Sequence, residues 1–428
     1  MNKLLITMGN KAKQLPWLAS PYAAASFFGT MTLVPYLLAE DNIIFSLGRV
    51  LDPVEHIMLA GIIVLVLLGA THFGYKKMAR YRSIFPQTGV KVHSGRKRLA
   101  AWAPSFARAT LWACACISVI VAAYTFVAYR SGSFLTARAA LDFQGVGVLL
   151  RLYIVALPVY LASVGRITKE IVLAVLVLFA SIFVRAIALS ERSAVLEFLI
   201  VGSICYQGVT RRSLLKYVFA AMPFLPIYMA LALRDRLVTQ GVRLTGDTLD
   251  AIYFELNDTL IYYADTINKL YAGLFQGLTS DVFYFADPFY KLLGAGKVTD
   301  VAAGTKALLL ELNSAGLTNS GLSNPGGLAQ DFSDFSYFFI PLVIAKFYIF
   351  GRLGRLFADE NPIGVCLYPV SFVAIFEFAR FNYFYNGYGF LLALTFIIFA
   401  VVVSVSPRHP NRASSWRRAT PTGIPVDP

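Results

Sequence analysis

Charge is what this chain has least of. Of its 428 residues only 14% are Asp, Glu, Lys or Arg, against about 25% in soluble domains. A chain that is 57% hydrophobic cannot cover a soluble particle with so few charges, which excludes a soluble enzyme. A disordered chain is excluded as well, because disorder needs a low apolar content. An outer-membrane barrel would alternate apolar and polar residues along its strands, whereas here the apolar residues run unbroken. Histidine and cysteine are scarce, at four each. His56, His72, His93 and His409 are scattered, and none falls in the longest loop. No Walker loop, G-x-G-x-x-G fingerprint, H-E-x-x-H helix or G-x-S-x-G elbow occurs. Neither nucleotide nor zinc chemistry is expected, and no cofactor. Energy must come from the substrate or from a gradient.

What the chain has instead is apolar length. Several runs approach the roughly 20 residues that cross a bilayer as a helix. Ten spans are expected, near 17–39, 56–74, 108–129, 147–165, 171–190, 193–209, 217–233, 333–351, 362–380 and 387–405. The fold class is therefore an all-α polytopic membrane protein. Cys114, Cys116, Cys205 and Cys366 all fall in apolar runs and read as small buried hydrophobes. Cys114 and Cys116, two apart on a helix, point to different faces and cannot form a metal or redox pair. Lys3, Lys11 and Lys13 lead into the first span without a small-residue cleavage site, so no cleavable signal peptide is expected.

The net charge of +14 would suggest nucleic acid but for its distribution. Segment 75–106 carries Lys76, Lys77, Arg80, Arg82, Lys91, Arg96, Lys97 and Arg98 without an acid. Segment 210–216 and the tail after Pro407 are basic too. This is the positive-inside pattern, and it puts both termini in the cytoplasm, with no nucleic-acid partner. The Pro-rich tail, 406–428, reads as disordered. Glu40, Asp41, Asp52 and Glu55 mark the loop at 40–55 as facing the other side.

The division is then 1–233 with about seven spans, a large extracytoplasmic loop over 234–332, and 333–405 with about three spans. The loop is no linker. From Asp247 to Leu278 its apolar residues, among them Leu256, Tyr263, Ile267 and Leu270, recur at helical spacing,. The Gly-, Asn- and Ser-rich run from Asn313 to Gly327 cannot be regular helix,.

Charges within membrane spans are costly, so each is a functional hypothesis. They gather toward the outer half: Arg151, Arg185, Glu191, Arg192, Glu197, Glu377 and Arg380, with Arg234 and Arg236 after span seven and Asp331 and Asp334 before span eight. The inner halves hold little beyond Lys346 and His72, which can snorkel. The plain structural reading is pairing, for example Arg185 with Glu197. The functional reading is an anion site, because arginine binds phosphate bidentately and stays charged. A lipid pyrophosphate suits it, and Arg243 extends the cation supply.

Three features resemble the oligosaccharide repeat-unit polymerases, the Wzy-type O-antigen and exopolysaccharide polymerases. The tight hairpin Ser190-Glu191-Arg192-Ser193-Ala194 is similar to the family's G-x-R-[ST] signature, with Ser190 and Glu191 in place of small residues. The large loop lies between late spans. Its exit, Asn324-Pro-Gly-Gly-Leu-Ala-Gln-Asp-Phe332 followed by Ser-Asp-Phe335, resembles the family's glycine-rich segment, with Ser336-Tyr337 where members carry a glycine.

The resemblance implies a GT-C-like fold in the bacterial inner membrane. It implies transfer of a growing glycan from undecaprenyl pyrophosphate to a new lipid-linked repeat unit at the periplasmic face, without metal or nucleotide. Arg192 is then the leading catalytic candidate. Arg185, Arg234 and Arg236, and more weakly Arg243 and Arg380, are pyrophosphate ligands, with Asn324 a further substrate contact. Glu191, Asp331 and Glu377 are open choices for a general base, and the leaving pyrophosphate could take the proton instead. Tyr253, Tyr262, Tyr263, Tyr284, Asn313, Asn319 and Asn324 offer sugar-binding surface. Membrane lipid and a chain-length regulator are the implied partners. The rivals are an O-antigen ligase, whose loop histidine is missing here, a lipid-linked glycan flippase, and a membrane assembly protein without catalysis.

Overall fold

The computed structural model describes residues 15–38, 51–84, 102–132, 136–137, 146–164, 167–189, 193–210, 212–221, 223, 263–275, 326–359, 361–379 and 397. These residues are helical wherever they are regular, and no strand occurs among them. In chain order the helices are α1 (Pro21–Leu38), α2 (Pro53–Ile84), α3 (Ala103–Ser131), α4 (Val146–Arg151), α5 (Tyr153–Val164), α6 (Lys169–Leu189), α7 (Ser193–Thr210) and α8 (Leu215–Ala221). They continue with α9 over 263–275, then α10 (Gly327–Phe335), α11 (Phe339–Ala358) and α12 (Pro362–Phe376).

The chain is an α-helical membrane protein. Four stretches are long and apolar enough to cross a bilayer: Pro53–Lys76, Ala103–Ser131, Lys169–Leu189 and Gly327–Ala358. Leu149–Val164, Ala194–Gly208 and Pro362–Phe376 are shorter apolar helices. Large apolar side chains stand exposed along α2 (Ile62, Leu65), α3 (Ile120, Val127) and α6 (Leu173, Leu176). A bilayer covers such surface, and water would not tolerate it.

Helix ends follow local chemistry. Asp52 caps α2, its side chain accepting from the Glu55 N–H at 2.8 Å, and Pro53 takes the first helical position. Asn361 caps α12 in the same way, accepting from the Ile363 N–H at 3.0 Å, again with proline next. Helix α2 runs past the expected loop boundary at 75 to Ile84. Lys76, Lys77, Arg80 and Arg82 are good helix formers, so nothing stops the helix where the apolar run stops.

Two groups of helices share one centre. Helices α1, α2 and α11 pack together, as do α3, α5, α6 and α7, and α12 touches members of both groups. Twelve of the 15 residues of α12 are buried. A helix that is apolar all round belongs in a core. Three cysteines lie buried as expected, but Cys116 is exposed. Its spacing from buried Cys114 turns it to the outer face of α3.

Candidate functional site

Contacts along α1 establish levels in the bundle. At one end Tyr22 meets His72 of α2, its hydroxyl 3.0 Å from Nδ1. Near the middle Phe28 packs on Phe347 of α11 and on Phe378. Toward the other end His56 Nε2 lies 2.8 Å from the Thr32 carbonyl. The candidate site occupies this last end and reaches down to the middle.

The glycine pair at the exit of the long loop builds it. Gly326 has φ +77°, a conformation glycine adopts without cost. It lies against Thr266 of α9, so close that a Cβ there would stand 2.4 Å from the Thr266 hydroxyl. The Gly327 N–H donates to the Phe378 carbonyl at 3.0 Å. The chain is thereby clamped between α9 and the end of α12, and Phe27 of α1 completes the junction by stacking on Phe376 at 3.8 Å and meeting Tyr263 of α9 edge-on.

Helix α10 then doubles back. Lys346 of α11 donates to both oxygens of Asp331 at 2.7 Å. In a straight helix 15 residues would separate the two by about 22 Å. The reversal comes at Ser336, a non-glycine residue at φ +50°, followed by a 3-10 turn over Ser336–Phe338. The helical stretch is therefore broken: α11 starts at Phe339, and 327–335 form a short helix folded against it. Asp331 is 0% exposed. The Lys346 ammonium also lies 5.5 Å from the centre of the Phe378 ring, a cation–π arrangement. Lys346 does not snorkel to an interface. It is held by a buried carboxylate level with Phe28 and Phe347, in mid-bundle. Buried beside this framework are Asp265, Thr266 and Asn268 on α9, Gln330 on α10, and Glu377.

His56 is the histidine that the fold brings here. Its ring stacks on Tyr36 at 3.5 Å, and Tyr36 donates its hydroxyl to the Leu51 carbonyl, tying the end of α1 to the start of α2. A carbonyl only accepts, so Nε2 carries the proton and Nδ1 holds the lone pair. Asp265 lies within electrostatic reach of the ring.

A second charged pair lies in the other helix group. Arg151 Nε donates to both oxygens of Glu197 at 3.1 Å. Glu197, which the sequence suggested as a partner for Arg185, is held by Arg151, because α4 and α7 bring those two together. Arg185 is buried on α6. Of the site residues expected from sequence, Asp331, Arg185 and Glu377 are buried in the bundle. Glu191, Arg192, Arg234, Arg236, Arg243, Arg380 and Asn324 lie outside the described residues, as do span ten apart from Ile397, most of span seven and the tail. Asp331 has Lys346 as its partner, an arrangement that holds a carboxylate as an anion in fixed geometry. The sequence reading did not single out Lys346, His56 or Asp265 as site residues. His56 and Asp265 are 209 residues apart in the chain, and no local pattern links them.

Compared with protein-family models, curated proteins and solved structures, the chain matches none.

Proposed function

We propose that this protein is a multi-pass membrane glycosyltransferase that polymerises lipid-pyrophosphate-linked oligosaccharide repeat units. In this reading it has ten spans in a GT-C-like arrangement, both termini in the cytoplasm of a bacterial inner membrane, and its site at the periplasmic face. One observation carries the reading: a cluster of buried polar and charged side chains sits where the long loop rejoins the membrane helices. A membrane protein keeps such groups in its interior at high cost. They come from α2, α9, α10, α11 and the end of α12, so the loop and the spans together make one site. Gly326 and Gly327, from the run that resembles the polymerases, supply its clamp.

The chemistry asked of the protein is modest. The bond from the anomeric carbon to the pyrophosphate breaks, and the electron pair leaves with the pyrophosphate. The acceptor hydroxyl oxygen bonds to the same carbon and gives up its proton. Arginines of the charged layer, Arg192, Arg185, Arg234 and Arg236 foremost, stabilise charge growing on the leaving group. The Asp331–Lys346 pair keeps α10 against α11 and so holds the floor of the site.

A second reading, carriage of the lipid-linked glycan, draws on the same pair, since transporters keep charged groups near mid-membrane. One experiment separates the two. Purified protein in nanodiscs is given the lipid-linked repeat unit extracted from the cells that make it, without nucleotide, and products are resolved on a gel. A ladder of evenly spaced bands is the expected result. A single unshifted band from folded protein with lipid bound rejects the polymerase and leaves the carrier.

A further inference from the structure

Among the described residues, Nδ1 of His56 and the hydroxyl of Thr266 are buried without a hydrogen-bond partner. Both residues are 0% exposed. A buried polar atom left unpaired costs about 1–3 kcal/mol, so each needs a reason. Purely structural threonines elsewhere in these helices show the alternative. Thr32, Thr71 and Thr125 donate back to the carbonyls of Phe28, Leu67 and Val121, the usual way for a helical threonine to satisfy itself. Thr266 makes no such bond. His56 is likewise fully held on one side, by the Thr32 carbonyl and the Tyr36 ring, and unsatisfied on the other. Its ring is fixed in tautomer and orientation, with the basic nitrogen left unpaired. Asp265, next to Thr266 on α9, lies within electrostatic reach of that ring.

We propose that His56 Nδ1 and the Thr266 hydroxyl receive the acceptor sugar hydroxyl, and that His56 takes its proton. This rests on the polymerase reading and deepens it. As the acceptor oxygen bonds to the anomeric carbon and the pyrophosphate departs with the electron pair, the hydroxyl proton passes to Nδ1. The imidazolium so formed lies within electrostatic reach of the Asp265 carboxylate, which Lys269 also holds at 2.9 Å, and the proton leaves with the departing pyrophosphate. The division of labour is simple. Tyr36 and Thr32 orient the ring, Thr266 binds the hydroxyl, and His56 moves the proton. Enclosure of both atoms keeps water from competing as the acceptor.

His56→Gln separates this role from packing, because the glutamine amide N–H can still reach the Thr32 carbonyl while the basic nitrogen is gone. Turnover in the ladder assay falls by about 100- to 10,000-fold, the usual worth of a general base, with acceptor KM and melting temperature little changed. Thr266→Val raises acceptor KM and leaves turnover nearer wild type. Turnover of His56→Gln within about threefold of wild type overturns the proposal. Should His56→Gln fail to fold, 15N-histidine-labelled wild type decides. The Nδ1 resonance of His56 shifts when the extracted repeat unit is added, and an unmoved resonance overturns the proposal. The two readings also fail separately. No ladder from wild type, with the Nδ1 shift present, removes the polymerase and keeps the hydroxyl site. A wild-type ladder with neither a shift nor a loss in His56→Gln removes the site and keeps the polymerase. Absence of both ladder and shift removes both.

Discussion

At the scale of single residues, the buried charges set the sharpest expectations. Asp331 is wholly enclosed and has Lys346 at 2.7 Å. Removing one member of a buried pair leaves the other uncompensated, at a cost of about 3–5 kcal/mol. Lys346→Met alone lowers the unfolding free energy by about that much, and adding Asp331→Asn recovers most of it. Denaturant melts of the three proteins in detergent check this, and a double variant no better than Lys346→Met would show that the pair is not a unit. Arg192 belongs to a different test. Arg192→Ala abolishes polymer in the ladder assay while membrane abundance holds, and normal polymer would remove it from the site. Both aspartate and arginine could be picked out beforehand because a charge beside an apolar run stands out in any sequence. His56 could not, since its meaning comes from Thr32 and Tyr36, which touch it only in the folded chain.

At the scale of helices, the closest packing is between α2 and α11. A Cβ on Gly351 would stand 2.2 Å from the Thr71 carbonyl oxygen, and one on Gly74 would stand 2.1 Å from that of Tyr348. Small residues let backbones approach where apolar burial supplies no drive between helices in lipid. Gly351→Leu forces the two helices apart and costs about 1–3 kcal/mol. Gly202 of α7 has nothing within 4 Å of a would-be Cβ, so Gly202→Ala holds or raises the melting temperature. Thermal melts of both variants check the contrast, and equal losses would contradict the packing. Helix existence was readable from apolar periodicity, and Tyr263, Ile267 and Leu270 are buried as their spacing suggests, but so are Asp265, Thr266 and Asn268 between them, so α9 is enclosed on both faces and not on one. The reversal of α10 was not readable. An apolar run that starts at Phe332 looks continuous until Lys346 pulls Asp331 back beside it.

At the scale of the whole molecule, the loop charges set an orientation that labelling can test. With exposed Cys116 first replaced by serine and Cys114, Cys205 and Cys366 left buried, a cysteine added at Ser46 or at Ser280 reacts with an impermeant maleimide added from the periplasmic side. A cysteine at Ser94 reacts only after the inner membrane is opened. The reverse pattern would turn the proposed site toward the cytoplasm and end the polymerase reading.

Composition alone determined that this is a helical membrane protein, because too little charge and too much apolar length admit no other solvent. Local residue order determined where the capped helices start, since Asp52-Pro53 and Asn361-Pro362 act on their own first turns. Tertiary structure decided which charges meet, Arg151 on Glu197 and Lys346 on Asp331, and brought His56 within electrostatic reach of Asp265. Apolar content and caps act over a few residues and are written locally. Pairing depends on which helices lie side by side, and packing settles that across hundreds of residues.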